Sequence, residues 1–255
     1  MFNIYLSVMY VFAVACFVTL YFVPAGYGKM SSAKWGFQFN NKVAWLLMEC
    51  PTVLVSVVFL FFFYGNLKVE QYMSRLILLS FFLLHYIYRS FVFPFLLRGK
   101  SKMPLVIVLM GFLFNTINTS LICWWTFYES EASFYEYSYF KIMWFVIGAS
   151  LFFLGFVVNI DSDAYIRSLR RKGDDKHYFP QRHLYKYVCS ANYFAEIVEW
   201  LGFALLTCNP AALLFFVWTC ANLVPRSSAI YQKYKKEFPK EMENAKVKRI
   251  FPFIY

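Results

Sequence analysis

The sequence is short of charge, histidine and glycine. Asp, Glu, Lys and Arg make up 15% of its 255 residues, against 60% hydrophobic ones. That balance excludes an ordinary soluble domain. Three histidines and no His-Glu-x-x-His run leave a protein-bound metal without its usual donors. Asn159, Asp161 and Asp163 imitate a calcium row, but the loop lacks Gly at its sixth position and Glu at its twelfth. No Gly-x-Gly-x-x-Gly follows a strand and no full Gly-x-x-x-x-Gly-Lys-Ser/Thr phosphate loop occurs, so a nucleotide would bind outside both solutions. The six cysteines form no Cys-x-x-Cys pair and read as small buried hydrophobes. With no internal repeat or low-complexity linker, residues 1–255 are expected to form one domain.

What is present is apolar length. Seven segments stand out, at 2–23, 43–64, 76–97, 105–128, 142–160, about 190–208 and about 210–225. The first five are long enough to span a bilayer alone. The last two are shorter, separated by Asn209-Pro210, and the sixth carries Glu196 and Glu199. They are expected as a buried helical hairpin, with six spans as the rival count. No basic stretch precedes the first segment and no Ala-x-Ala site follows it, so it reads as a retained helix.

The basic residues orient these segments. With seven spans and an outside N-terminus, 21 of the 25 Lys and Arg fall on the cytosolic side and three opposite. The remaining one is Arg89, inside a helix. This predicts a lumenal N-terminus and a cytosolic C-terminus with a basic tail at 226–255. Lys68 and Arg75 are counted in the second, lumenal connection, and Trp124-Trp125 reads as an interfacial anchor. The net charge of +11 is spread over short loops and the tail, without interleaved aromatics. It points to the membrane surface and anionic small molecules, not to nucleic acid.

On this topology the odd polar residues gather at one end. Glu49 lies roughly 9 Å from the cytosolic edge, Arg89 about 12 Å, Tyr86 about 16 Å, and Asn115 and Asn118 about 15 and 20 Å. Helix 5 is expected to end at Asn159-Ile160, and helix 6 to return with Asn192, Glu196 and Glu199 on one edge. Ionisable groups inside membrane segments mark function. A polar chamber open to the cytosol unites them, with a mouth of Arg98, Lys100, Arg167, Arg170, Arg171 and Lys172 suited to a phosphorylated cofactor. His85 is expected to be a structural histidine, and Asn115 and Asn118 either helix glue or ligand contacts.

Four stretches then carry a resemblance: Trp45-Leu46-Leu47-Met48-Glu49-Cys50-Pro51; His85-Tyr86-Ile87-Tyr88-Arg89; Asn159-Ile160-Asp161-Ser162-Asp163; and Ala191-Asn192-Tyr193-Phe194-Ala195-Glu196-Ile197-Val198-Glu199-Trp200. The chain resembles the steroid 5-alpha-reductase (3-oxo-5-alpha-steroid 4-dehydrogenase) family over nearly its whole length. The resemblance implies an all-α protein of seven transmembrane helices in the endoplasmic reticulum membrane. It implies NADPH as cofactor, a 3-oxo-4-ene steroid or another apolar enone as substrate, and no obligate protein partner. Glu49 and Tyr86 match the positions that meet the steroid 3-keto group. Arg89, Asn159, Asp163, Arg170, Asn192 and Glu196 match cofactor positions, with Lys100 where arginine is common and Tyr234 as a tail aromatic of the pocket.

The chain departs from the family pattern before helix 6. Pro180-Gln181-Arg182-His183-Leu184-Tyr185 stands where Gly-Gly is usual, so a positive-φ backbone there is expected to be lost or strained. Ala195 replaces a usual glycine.

The chemistry fits the residues. A carbon–carbon double bond accepts hydride when conjugated to a carbonyl whose oxygen takes up the developing charge. A glutamate in an apolar pocket disfavours its charged form, so Glu49 serves as a neutral donor and Tyr86 as a second. Hydride to C5 and a proton to C4 complete the reduction, the proton donor being open between water and Tyr86. Rival functions are an enoyl-CoA or polyprenol reductase on the same scaffold, a lipid transporter or receptor, and a membrane methyltransferase.

Overall fold

A computed structural model describes residues 1–23, 36–98, 101–135, 139–170 and 176–255. Long helices make up nearly all of it: α1 (Phe2–Phe22), α2 (Asn41–Phe63), α3 (Val69–Leu96), α4 (Leu105–Glu129), α5 (Tyr139–Ser168), α6 (Ala191–Thr207) and α7 (Pro210–Glu237). A short α8 (Pro239–Ala245) follows. Two three-residue strands, β1 (Gln38–Asn40) and β2 (Lys102–Pro104), pair antiparallel and tie the starts of α2 and α4 together. The protein is thus all-α and polytopic, with six helices long and apolar enough to cross a bilayer. Their outer faces expose Ile4, Val11, Phe61, Leu113 and Val157, as expected of residues that meet lipid.

Local chemistry sets the helix ends. Asn40 caps α2 by accepting the Lys42 N–H at 2.9 Å. Asn209 caps α7 by accepting from Ala211 and Ala212, with Pro210 in the first turn, where a missing N–H costs nothing. Cys208 ends α6 in the left-handed conformation. The Asn209 amide also donates to Ile122 O and to Thr126 Oγ1, both at 3.1 Å. The α6–α7 turn is thereby fastened to the far end of α4.

The closest helix pair is α5 against antiparallel α6. Gly148 and Gly155 on α5 are seven residues apart, as are Ala195 and Gly202 on α6. A methyl group at Gly148 would run into Gly202 O and Leu206 N, and one at Gly155 into Ala195 O and Glu199 N. Small side chains let the backbones touch, which is how helices associate where hydrophobicity gives no drive. Ala195, in place of a glycine, is accommodated in this seam with its side chain buried.

Several helices run past the apolar segments. α5 continues beyond Ile160 to Ser168, and α7 beyond Pro225 to Glu237, each as a helix with one buried and one polar face. Ile230 and Tyr234 are buried on that last stretch of α7. The basic tail is therefore partly packed helix. Its final residues also return to the body: Lys248 N donates to Tyr187 O, and Cys189 N donates to Lys248 O. Arg75 is not a solvated loop residue. It lies inside α3, 1% exposed, and donates to Thr126 O at 2.7 Å, Glu131 O at 3.0 Å and Gln71 O at 3.1 Å. Acceptors from the end of α4 meet its desolvation cost. Trp124 and Trp125 are more than surface anchors, since both rings pack on Phe2 of α1.

Candidate active site

The starts of α2, α4 and α6 meet the ends of α3, α5 and α7 at one end of the bundle, and the polar residues lie between them. Deepest is a chain of three side chains. The Tyr86 hydroxyl on α3 donates to Asn115 Oδ1 on α4 at 3.4 Å. Asn115 Nδ2 donates to Glu49 Oε2 on α2 at 3.1 Å and to Met48 O at 2.7 Å. All three side chains are buried. Phe82, Trp200 and Phe215 surround the Tyr86 ring, with centroids 4.8, 5.8 and 6.4 Å away.

Beside this chain lies a buried hydrogen-bonded pair, His85 Nδ1 to Glu199 Oε1 at 2.7 Å. The His85 ring packs on Trp200 at 4.6 Å and on Tyr86 at 5.1 Å. Glu199 therefore leaves the Glu196 edge of α6 in function: it holds His85. Glu196 lies within electrostatic reach of Arg89, His85, Glu199 and Asp163.

Nearer the mouth is a second network. Arg89 Nη1 donates to Asp163 Oδ2 at 3.0 Å, and Asn192 Nδ2 donates to Asp163 Oδ1 at 3.0 Å. Asn159 Nδ2 donates to Asn192 O at 2.9 Å, and the Tyr185 hydroxyl donates to Asn192 Oδ1 at 3.3 Å. Burial pushes the Tyr185 phenol well above the usual tyrosine range, so it remains a donor. Because α5 continues as helix, Asn159 and Asp163 stand one turn apart on one face, both toward α6. Arg89 lies in a π-helical turn, Tyr88–Val92, a local widening common at functional sites. Its guanidinium lies against an edge-to-face pair of rings, 4.2 Å from the centre of Phe93 and 4.7 Å from that of Trp45.

Around the mouth, Arg98 Nη1 donates to Arg170 O at 2.9 Å, and Arg167 faces the Phe93 ring at 5.6 Å. The Arg170 side chain lies within electrostatic range of Tyr234. Tyr234 is fully buried against Phe179 and Phe238. Lys100, Arg171 and Lys172 lie outside the described residues. His183 does adopt positive φ, at 54°, although it is no glycine. Its Nδ1 meets Asp161 Oδ2 at 2.7 Å, and its ring stacks on Tyr165. These side-chain contacts hold the left-handed turn that the loss of glycine was expected to remove.

The structure thus joins Glu49 to Tyr86, and Arg89, Asn159, Asp163 and Asn192 to one another. Trp45, Phe93 and Tyr185 were not assigned from sequence. Trp45 is four residues before Glu49 and Phe93 four after Arg89, so helical spacing was the available signal. Tyr185 had none. Buried polar atoms of residues in the same segments, Ser90 Oγ, Ser162 Oγ, Ser190 Oγ and Arg167 Nη1, have no hydrogen-bond partner among the described residues. Such atoms fit a bound group carrying many oxygens.

Comparison with known proteins gives this arrangement a family. Residues 101–255 match the family described as 3-oxo-5-alpha-steroid 4-dehydrogenase. The chain is 31% identical over 265 residues to steroid 5-alpha-reductase DET2 of Gossypium hirsutum, covering 100% of this chain and 98% of that one. It is 34% identical over 261 residues to the protein of that name from Solanum lycopersicum, covering 100% and 97%. With 3-oxo-5-alpha-steroid 4-dehydrogenase 1 of Bos taurus the identity is 33% over 225 residues, covering 88% and 86%. Matches of this extent, to plant and mammalian proteins alike, mean that the chain belongs to the 3-oxo-5-alpha-steroid 4-dehydrogenase family.

Proposed function

We propose that this protein is an NADPH-dependent steroid 5-alpha-reductase that reduces the C4–C5 double bond of 3-oxo-4-ene steroids. The observation that carries this reading is the junction of the buried Glu49 and Tyr86 through Asn115, beside the Arg89–Asp163–Asn192 network. Two donors from different helices converge where a ketone oxygen can sit. Glu49 and Tyr86 hold that oxygen and stabilise the charge it gains. The aromatic walls of Phe82, Trp200 and Phe215 exclude water and orient an apolar ring system.

When bound, NADPH would supply the hydride for C5. The residues fit that cofactor: Asn159, Asp163, Asn192 and Glu196 offer amide and carboxylate partners, and Arg89 and Arg170 offer charge. The unpartnered serine hydroxyls and the Arg167 Nη1 atom add donors for its phosphate and ribose oxygens. Tyr234 supplies an aromatic wall, and Lys100 lies in the stretch next to Arg98.

The chain acts as one seven-span domain of the endoplasmic reticulum membrane, its basic tail included, with the N-terminus lumenal and the C-terminus cytosolic. α6 supports the seventh span, because it starts beside Asn159 and ends at a turn bonded to Ile122 and Thr126 at the other end of α4. The distribution of Lys and Arg supports the orientation, and family membership supports the organelle.

The reading is tested by offering protein in native membranes NADPH with 4-en-3-one steroids, enoyl-CoAs and polyprenols. Steroid-dependent NADPH oxidation is expected, and oxidation with only a non-steroid class would overturn it. Glu49→Gln and Tyr86→Phe should each lower steroid turnover about 100-fold or more while leaving NADPH affinity unchanged.

A further inference from the structure

Asn115 has two chemically different ends, and its surroundings decide which end faces where. A backbone carbonyl only accepts hydrogen bonds. Met48 O lies 2.7 Å from the Asn115 amide, so the atom toward it is the nitrogen. That settles the orientation usually left open for an asparagine. Oδ1 then faces Tyr86, and the phenol must donate. The second N–H of Nδ2 faces Glu49 Oε2 at 3.1 Å, so Oε2 must accept. A proton carried by Glu49 therefore sits on the other oxygen, Oε1.

The position of Asn115 is itself held. Gly111, one turn earlier on α4, lies so close to Met48 that a methyl group there would collide with the Met48 side chain. The missing side chain lets α4 come down on α2 beside Met48. Pro51 on α2 removes the N–H that would have bonded to Leu47 O. The carbonyl left without that bond is next in sequence to Met48, on which Asn115 docks.

Resting on the functional reading above, we propose that Asn115 is the positioning residue of this site: it sets the direction of the protons on Glu49 and Tyr86. Glu49 is held with Oε2 accepting and Oε1 presenting its proton to the substrate ketone. Tyr86 is held on a long 3.4 Å bond to an amide oxygen. A ketone oxygen gaining negative charge is a stronger acceptor, so the phenol turns to it at small cost. Without Asn115, Glu49 is free to carry its proton on either oxygen, and Tyr86 to bond to Glu49 directly. Either change removes a donor from the ketone.

The deciding variants are Asn115→Leu, similar in shape without polar atoms, and Asn115→Asp. The readout independent of turnover is the infrared carbonyl band of protonated Glu49, assigned by its loss in Glu49→Gln. Asn115→Leu should move that band to higher frequency, because the carbonyl oxygen loses its N–H partner. It should also lower kcat about 10- to 100-fold, with NADPH affinity unchanged. A folded Asn115→Leu protein with an unmoved Glu49 band and unchanged kcat would make Asn115 a helix link and nothing more. A wild-type protein without the Glu49 band would equally overturn the arrangement.

If Asn115→Leu does not fold, Asn115→Asp decides. Its acid form still donates to Glu49, and its carboxylate does not, so activity should fall with rising pH where wild type holds steady. The groups facing it are Glu49 and Tyr86, with Arg89, His85, Glu196 and Glu199 in electrostatic range of one or both of that pair. A profile superimposable on wild type overturns the proposal. Should the wild type reduce no 4-en-3-one steroid, the functional reading fails, and the infrared band still decides the proton arrangement.

Discussion

His85 Nδ1 and Glu199 Oε1 lie 2.7 Å apart in the interior of the bundle, with both side chains buried. One proton is shared between them: either the imidazole N–H donates to the carboxylate, or the acid donates to the bare ring nitrogen. His85 is the chain neighbour of Tyr86 and packs on Trp200, so the pair braces the wall of the proposed ketone site. Glu199→Leu should cost about 1–3 kcal/mol by stranding that nitrogen, and Glu199→Gln distinctly less. The double variant His85→Phe with Glu199→Leu should recover most of the loss, because an apolar pair can replace a buried ionic one. Thermal unfolding in detergent measures all three, and a double variant as unstable as Glu199→Leu would refute the pairing.

Arg89 has two roles that a lysine cannot fill. It bonds to Asp163 and lies over the touching Trp45 and Phe93 rings. Arg89→Lys keeps the charge and loses the planar stack. The Michaelis constant for NADPH is expected to rise about tenfold or more, with stability nearly unchanged. Arg89→Met strands buried Asp163, and a loss of about 3–5 kcal/mol should appear in the melting curve. Equal NADPH constants for wild type and Arg89→Lys would remove the stack from the account.

His183 pays a conformational cost at φ 54°, offset by its contacts to Asp161 and Tyr165. His183→Gly relieves the cost and loses the contacts, whereas His183→Ala keeps the strain and loses them too. The alanine variant should therefore be the less stable of the two, by about 1 kcal/mol. Chemical denaturation of the purified proteins orders them. Alanine matching glycine would show that the turn is not held in this conformation.

The α5–α6 seam has no room for branching. Gly155→Val places methyl groups against the backbone of Glu199 and Ala195. The loss should exceed the ~1–3 kcal/mol of ordinary overpacking. Folded yield, followed by gel filtration, should drop more for Gly155→Val than for Gly65→Val, where a side chain meets nothing and the cost is only that of a positive φ.

How far the sequence showed these sites depends on contrast. Glu49, Arg89 and Glu196 were visible because ionisable groups stand out in apolar helices. The polar continuation of α5 was not, since hydropathy stops marking a helix once one of its faces turns polar. Asp163 was thus expected in a loop, although helical spacing places it one turn from Asn159. Arg75 was misplaced for a related reason: its partners are carbonyls at the far end of α4, more than fifty residues on. The bridge through Asn115 depends on a crossing of three helices, and no periodicity within one of them encodes it. His183 shows the opposite limit, where a rule about glycine was outweighed by two side-chain contacts.

The glycine seam also bears on how the chain is made. α6 has 17 residues and carries Glu196 and Glu199, so placed in lipid alone it would cost several kcal/mol. It gains its place only when α5 already stands in the bilayer with Gly148 and Gly155 bare, and when α7 follows to complete the hairpin. Biogenesis therefore has an order: a nascent chain paused after α6 should leave that segment at the membrane surface, and its entry should await the synthesis of α7.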